Sequence, residues 1–202
     1  GEWLIMAQAN YMLSPLATDL KSAGYLFERN GARSINAKLS QAVNGWEQLR
    51  QGLVISGSVC QTIYSFMSGN GGRVARGKKK IKDAAEQEFS LPQLQLEHGL
   101  LATQGMIWHE ALDKIPPPER AYITALLRRG EKFNAKPRIR LSTIHGTKGG
   151  EAENVVLFLD LTAAALRTGG DDLHRVFYVA VTRTKSNLFI IEPEDYTRAY
   201  DL

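Results

Sequence analysis

Apolar runs of strand length occur at the two ends of this 202-residue chain and almost nowhere between. The first, WLIMA within Glu2 to Ala9, closes on polar Gln8 and Asn10. That is the pattern of a buried strand delivering polar groups to a crevice at its C-terminal end. Ser14-Pro15 follows as a helix start, with Ser as N-cap and Pro at the first helical position. Leu16, Leu20 and Ala23 recur at helical spacing until Gly24 stops them. A second strand over Tyr25 to Glu28 completes a β-α-β unit, which argues for a parallel sheet. From Asn36 to Gln51, Leu39, Val43, Trp46 and Leu49 mark an amphipathic helix. Strand signals return only at Arg138 to Ser142 and Asn154 to Asp160. A Gly169-Gly170 turn, a helix from Asp171 or Asp172 and a last strand, Asn187 to Ile191, complete the chain.

The middle, residues 52–136, has hardly any alternating β-branched run. It holds Gly69-Asn70-Gly71-Gly72, a basic stretch, and Pro116-Pro117-Pro118 opening a helix through Arg129. It reads as a mainly helical insertion. The predicted architecture is therefore α/β, one discontinuous domain of residues 1–51 and 137–202 with residues 52–136 inserted.

A hydrophobic content of 44% and charged content of 23% are those of a globular protein. No apolar stretch approaches the roughly 20 residues that cross a bilayer, and GEWLIMAQAN has neither a basic leader nor a cleavage signature. No membrane partner is expected, and the reading places the protein in the cytoplasm. Gly1 directly before a strand suggests the head of a piece excised from a longer protein. Cys60 stands alone and the four histidines are scattered, so neither a disulfide nor a Cys/His metal centre is expected.

The net charge of +4 favours anionic partners weakly. Its distribution says more: Arg73 to Lys82, RVARGKKKIK, carries six basic residues and no acidic one. Arg73, Arg76, Lys78, Lys79 and Lys80 suit phosphate contact without base reading, although a solvated helix face beside a loop has the same composition. Gly72 to Lys79 has the spacing of a phosphate-binding loop. Lys79, however, stands where a Ser or Thr would hold magnesium, and no buried strand precedes the segment. No acidic pair follows an apolar strand as a magnesium-binding site would require.

Two segments remain, TIHGTKGGE from Thr143 to Glu151 and FYVAVTRTK from Phe177 to Lys185. In the first, the Lys148-Gly149-Gly150 turn frees backbone N–H groups for an anion. In the second, Leu173, Val176, Phe177 and Ala180 form an i, i+3, i+4, i+7 stripe that leaves Tyr178, Thr182 and Arg183 away from it. Taken alone, Arg183 would be a helix-end arginine balancing the macrodipole, and Glu151 a first-turn helix starter.

Together these segments resemble motifs V and VI of superfamily 1 DNA helicases of the UvrD/Rep group, and AQAN, Ala7 to Asn10, occupies the place of motif IV. The resemblance covers residues 2–50 and 137–191 and implies the second RecA-like motor domain, a three-layer parallel sheet. It implies ATP and magnesium held mainly by an N-terminal motor domain of the same polypeptide, and single-stranded DNA or a duplex junction as partner. Arg183 then becomes the arginine finger, and Glu151 the ribose contact. Lys148, Gly149, Gln8 and Tyr178 complete the nucleotide set. Thr143, His145 and Lys148 would couple the turn to the DNA. Alone, the chain is expected to be inactive as an ATPase.

Three positions depart from the family pattern: Gln8 stands for an arginine, Gly150 for a leucine and Ala152 for an aromatic residue. The first removes one of two expected charges, and the second loosens the packing under the turn. A degenerate, non-catalytic nucleic-acid or protein binding module is the alternative these changes leave open. An RNA-directed or opposite-polarity relative is set aside, because such enzymes carry Gln-Gly where this chain has Lys148-Gly149.

Overall fold

The computed structural model describes residues 1–81, 87–147 and 150–202. They divide into two compact units, residues 1–34 with 122–202, and residues 35–121.

The first unit is built on a six-stranded sheet of order β3-β2-β6-β1-β7-β8. Its strands are β1 (Trp3–Ala7), β2 (Phe27–Arg29), β3 (Ala32–Arg33), β6 (Ile139–Thr143), β7 (Ala152–Phe158) and β8 (Thr184–Ile191). All neighbours are parallel except β3, which closes a short antiparallel edge on β2. Strands β1 and β2 of the opening unit do not pair with each other. Strand β6 returns between them, matching Ile5 and Arg29 to Leu141 from opposite sides.

Alternation along β1 feeds two cores. Leu4 and Met6 join Val155, Leu157, Phe177 and Ala180, while Ile5 and Ala7 join Leu13, Ala17, Phe27 and Leu141. A strand buried on both faces must read as a continuous apolar run, which explains WLIMA. Helix α1 (Ser14–Ser22) lies in the second core and α8 (Asp171–Val181) in the first. The result is a helix-sheet-helix α/β arrangement consistent with a RecA-like domain.

Local details differ from expectation in three places. Ser14 is the first helical residue rather than the cap. A 3-10 turn, Asn10–Leu13, runs straight into α1, and Leu13 sits at the cap without a side-chain bond. The Ser14 hydroxyl is thereby free to accept from Arg29 Nη2 at 2.9 Å. The second strand covers Phe27–Arg29, after Gly24 has turned the chain at φ +73°. Strand β8 begins at Thr184, three residues before the expected Asn187, because Thr184 pairs with Ala152 ahead of a register shift.

The second unit contains α2 (Ala37–Arg50), β4 (Ile55–Ser56), α3 (Gly57–Ser65), β5 (Glu88–Phe89), α4 (Leu91–Glu97) and α5 (Trp108–Ala111). Helix α6 (Pro117–Arg128) crosses the division between the units, and α7 (Ala163–Thr168) belongs to the first. The first division falls at 34/35 rather than 51/52, because α2 packs on α3, and the second falls within α6 at 121/122 rather than at 136/137. Leu39, Val43, Trp46 and Leu49 are buried, and a Cβ at Gly45 would lie 2.4 Å from the Val59 side chain. The Trp46 indole donates to Met106 O at 2.9 Å. Among the described residues, this unit adds to its helices one two-residue antiparallel ladder, Ile55–Phe89 and Ser56–Glu88.

Candidate functional site

Helix α8 carries Asp171 and Asp172 in its first turn, where their charge complements the helix dipole. Phe177 and Ala180 are buried, and Leu173 and Val176 partly so, against the first core. Tyr178 stands 69% exposed on another face of the helix. The helix is capped at Thr182 and the chain turns sharply, Arg183 N donating to Ala180 O at 3.2 Å. Arg183 O then accepts from Ala152 N at 3.1 Å. This bond places Arg183 beside Glu151 and Ala152 on adjacent strands, about 4.8 Å apart, at the N-terminal edge of the sheet.

The half-buried Arg183 side chain has its Nε buried with no hydrogen-bond partner among the described residues, and the Thr184 hydroxyl is in the same condition. An orphaned buried donor costs about 1–3 kcal/mol, so its retention calls for an explanation. Glu151 is exposed, its Oε2 3.5 Å from Lys185 Nζ, and its backbone carbonyl accepts from Arg140 Nη2 at 2.8 Å. Gly150, expected to loosen the packing, instead makes room for this arginine: a Cβ there would lie 3.3 Å from both Arg140 Nη1 and Thr147 O. Lys148 and Gly149 lie outside the described residues.

Thr143 ends β6 at the opposite, C-terminal edge of the sheet, its hydroxyl accepting from Gly146 N at 3.1 Å. His145 is exposed in the short 3-10 turn that follows. It borders a hollow of about 330 Å³ with Ile144, Arg175, Val176 and Val179. Gln8 lies at this edge too, just past the end of β1, where its Oε1 accepts from Thr162 N at 2.6 Å. Since Trp3 is level with Asn154, Gln8 stands about 25 Å along the strands from Glu151 at roughly 3.3 Å per residue. The expected nucleotide residues are therefore not all brought together: Arg183 and Glu151 share one edge, and Gln8 occupies the other.

In the second unit, the basic stretch from Arg73 to Ile81 is a series of turns with one isolated bridge, Val74 to Leu100, and no helix. Arg76, Lys78 and Lys80 are exposed. Arg73 is half-buried and its Nε donates to Glu110 O at 2.9 Å. Lys79 folds its stem over Gly69, and burial, together with Lys114 nearby, lowers its ammonium pKa. Lys82 lies outside the described residues.

Arg140, Lys185 and Arg175 escaped the motif reading. Lys185 is the last residue of the FYVAVTRTK segment, and Arg140 is an out-of-phase residue of a strand, so both left a signal. Nothing in the pattern singles out Arg175. No group of three or more His, Cys, Asp or Glu side chains that could hold a metal occurs among the described residues, and no described helix is long and apolar enough to cross a membrane.

Fold and motif geometry together define the class: an α/β domain whose sheet edges carry the two polar segments. Residues 121–195 match the family model described as the UvrD-like helicase C-terminal domain. The match supports a UvrD-type helicase C-terminal domain over those residues. No curated protein and no solved structure matches it.

Proposed function

We propose that this chain is the C-terminal motor-domain portion of an ATP-dependent superfamily 1 DNA helicase or translocase. On this reading Arg183 and Glu151 face a triphosphate bound by an N-terminal motor domain of the same polypeptide, which also holds the magnesium. ATP supplies the phosphoryl-transfer chemistry. Arg183 stabilises negative charge developing on the transferred group, and Glu151 exchanges its exposed contact with Lys185 for a ribose hydroxyl. Thr143 and His145 on the opposite edge, with the exposed cations Arg76, Lys78 and Lys80, contact single-stranded DNA. The observation that carries the reading is the unpartnered buried Nε of Arg183 beside Glu151. A guanidinium kept partly out of water without a partner suits a ligand arriving from outside the chain.

The degenerate-module reading draws on Gln8, whose amide is engaged with Thr162 N and supplies no charge. Arg183→Ala in the full-length protein separates the two. A motor loses about 10³-fold or more of its ATPase turnover while keeping its affinity for single strands. Unchanged turnover would remove the motor reading. The isolated chain is expected to show no ATPase activity. Robust turnover abolished by Lys78→Ala would instead make the basic turn of residues 72–79 the phosphate site.

A further inference from the structure

Strand β2 ends one strand spacing from β6, and beside that end lies a hollow of about 440 Å³ that the motif reading does not use. Three cations from three different elements border it: Lys21 from α1, Arg29 from β2 and Arg33 from β3. Ser14, Thr18 and Asn30 add hydroxyl and amide groups, and no carboxylate lines it. Four cations elsewhere in this unit sit on carboxylates, Lys136 on Glu2, Arg175 on Asp172, Lys185 on Glu151 and Arg198 on Asp195, whereas others, such as Arg140 on the Glu151 carbonyl, do not. None of the three here has a carboxylate within 4.0 Å among the described residues.

Arg29 is anchored through one nitrogen, Nη2, which donates to Asn10 O at 2.6 Å and Ser14 Oγ at 2.9 Å. Arg33 Nη2 donates to Phe133 O and Ala135 O. Each guanidinium is thus held in place by neutral acceptors, with its charge uncompensated. The Lys21 ammonium lies over the Tyr122 ring at 5.5 Å, a cation–π contact that orients it without neutralising it, and the side chain is exposed. Convergent, uncompensated cations with hydroxyl donors between them recognise phosphate oxygens.

We propose that this hollow binds a backbone phosphate of single-stranded nucleic acid. It continues the contact surface from Thr143 toward β2 along the C-terminal edge of the sheet. The proposal rests on the nucleic-acid reading above and gives it a further subsite. Arg29 pairs in register with Leu141, two residues before Thr143, so the Arg29 end of the hollow and the motif residue stand on neighbouring strands at the same edge, while Lys21, at the end of α1, borders its far end beside the start of β2. Exposed Tyr11, next to the anchored Asn10, offers an aromatic face at that edge on which a base can stack.

The test is fluorescence anisotropy of a labelled oligo-dT strand on the whole 202-residue chain across a salt series. Each lost phosphate contact lowers the slope of log K against log salt by about 0.7, equivalent to about fivefold in affinity at 0.1 M salt. Lys21→Gln, at an exposed position, is expected to show that loss, and Lys21→Gln with Arg29→Gln about twice the slope change. Circular dichroism of each variant reports the fold, and the single Lys21 variant suffices if loss of Arg29 disturbs Asn10. Acetylation of Lys21, followed by mass spectrometry, should be slowed by oligo-dT. If His145→Ala or Lys78→Ala weakens binding while Lys21→Gln does not, the hollow is no subsite and the broader reading stands. If wild-type chain binds no strand, both fall. Protection of Lys21 by inorganic phosphate but not by oligo-dT would make the occupant a small anion and overturn the proposal.

Discussion

Replacing Arg183 by Met separates a functional arginine from a structural one in this chain alone, without the rest of the motor. The substitution keeps most of the side-chain stem and deletes the guanidinium, whose Nε is buried without a partner. Restoring a fully orphaned donor to neutrality is worth about 1–3 kcal/mol. Arg183 is only half-buried and a single nitrogen is orphaned, which puts the expected gain near the lower bound, about 1 kcal/mol. For a chain of this size that corresponds to a rise of roughly 2–4 °C in the thermal midpoint. An arginine kept to neutralise the helix dipole predicts the opposite sign, a loss of about 0.3–1 kcal/mol. Differential scanning calorimetry of the two proteins at low ionic strength reads the difference directly. A lower midpoint for Arg183→Met would show the side chain supporting its own fold and would refute the argument that it is held ready for an external ligand. Stability gained at the expense of activity is the expected signature of a residue placed for function.

Gly24 turns the chain between α1 and β2 at φ +73°, and a Cβ there would lie 2.4 Å from Ala125 O. Gly24→Ala should therefore cost more than the roughly 1–2 kcal/mol of a left-handed residue; a urea midpoint equal to that of the wild type would contradict this. The Cys60 thiol, buried in α3, has its pKa pushed up to about 12 by loss of solvation. The folded state then holds its proton where the unfolded state has lost it, so stability is intact below the ordinary thiol value and falls as pH rises from about 9 toward 12. The expected slope is about 1.4 kcal/mol per pH unit. Denaturation curves between pH 8 and 10, below the range in which buried Tyr64 and Tyr122 add a loss of the same sign, should show the decline, and Cys60→Ala should flatten it there. An identical slope in the variant would assign the alkaline loss to other groups.

Elements whose information is local were readable from the chain. The double-sided burial of β1 appears as an uninterrupted apolar run, the amphipathic helices α2 and α8 as stripes of 3.6-residue period, and the turns as glycines. The segments around Glu151 and Arg183 were legible for the same reason, since each is a short stretch of fixed order with its own strand or helix attached. The start of the second unit at Ile35 was not, because it is set by α2 packing on α3, a contact that periodicity announces without naming its partner. Nor could the strand order be read: β6 lies between β1 and β2 although more than a hundred residues separate β2 from β6, and pairing across such a distance leaves no trace in local spacing. That pairing, with β7 and β8 added beyond β1, puts Gln8 on one edge of the sheet and Arg183 with Glu151 on the other. It also gathers Lys21, Arg29 and Arg33 around one hollow. Residue order sets which faces are apolar and where the backbone can turn; which charges become neighbours is decided by strand pairing and close packing, the only level at which distant segments meet.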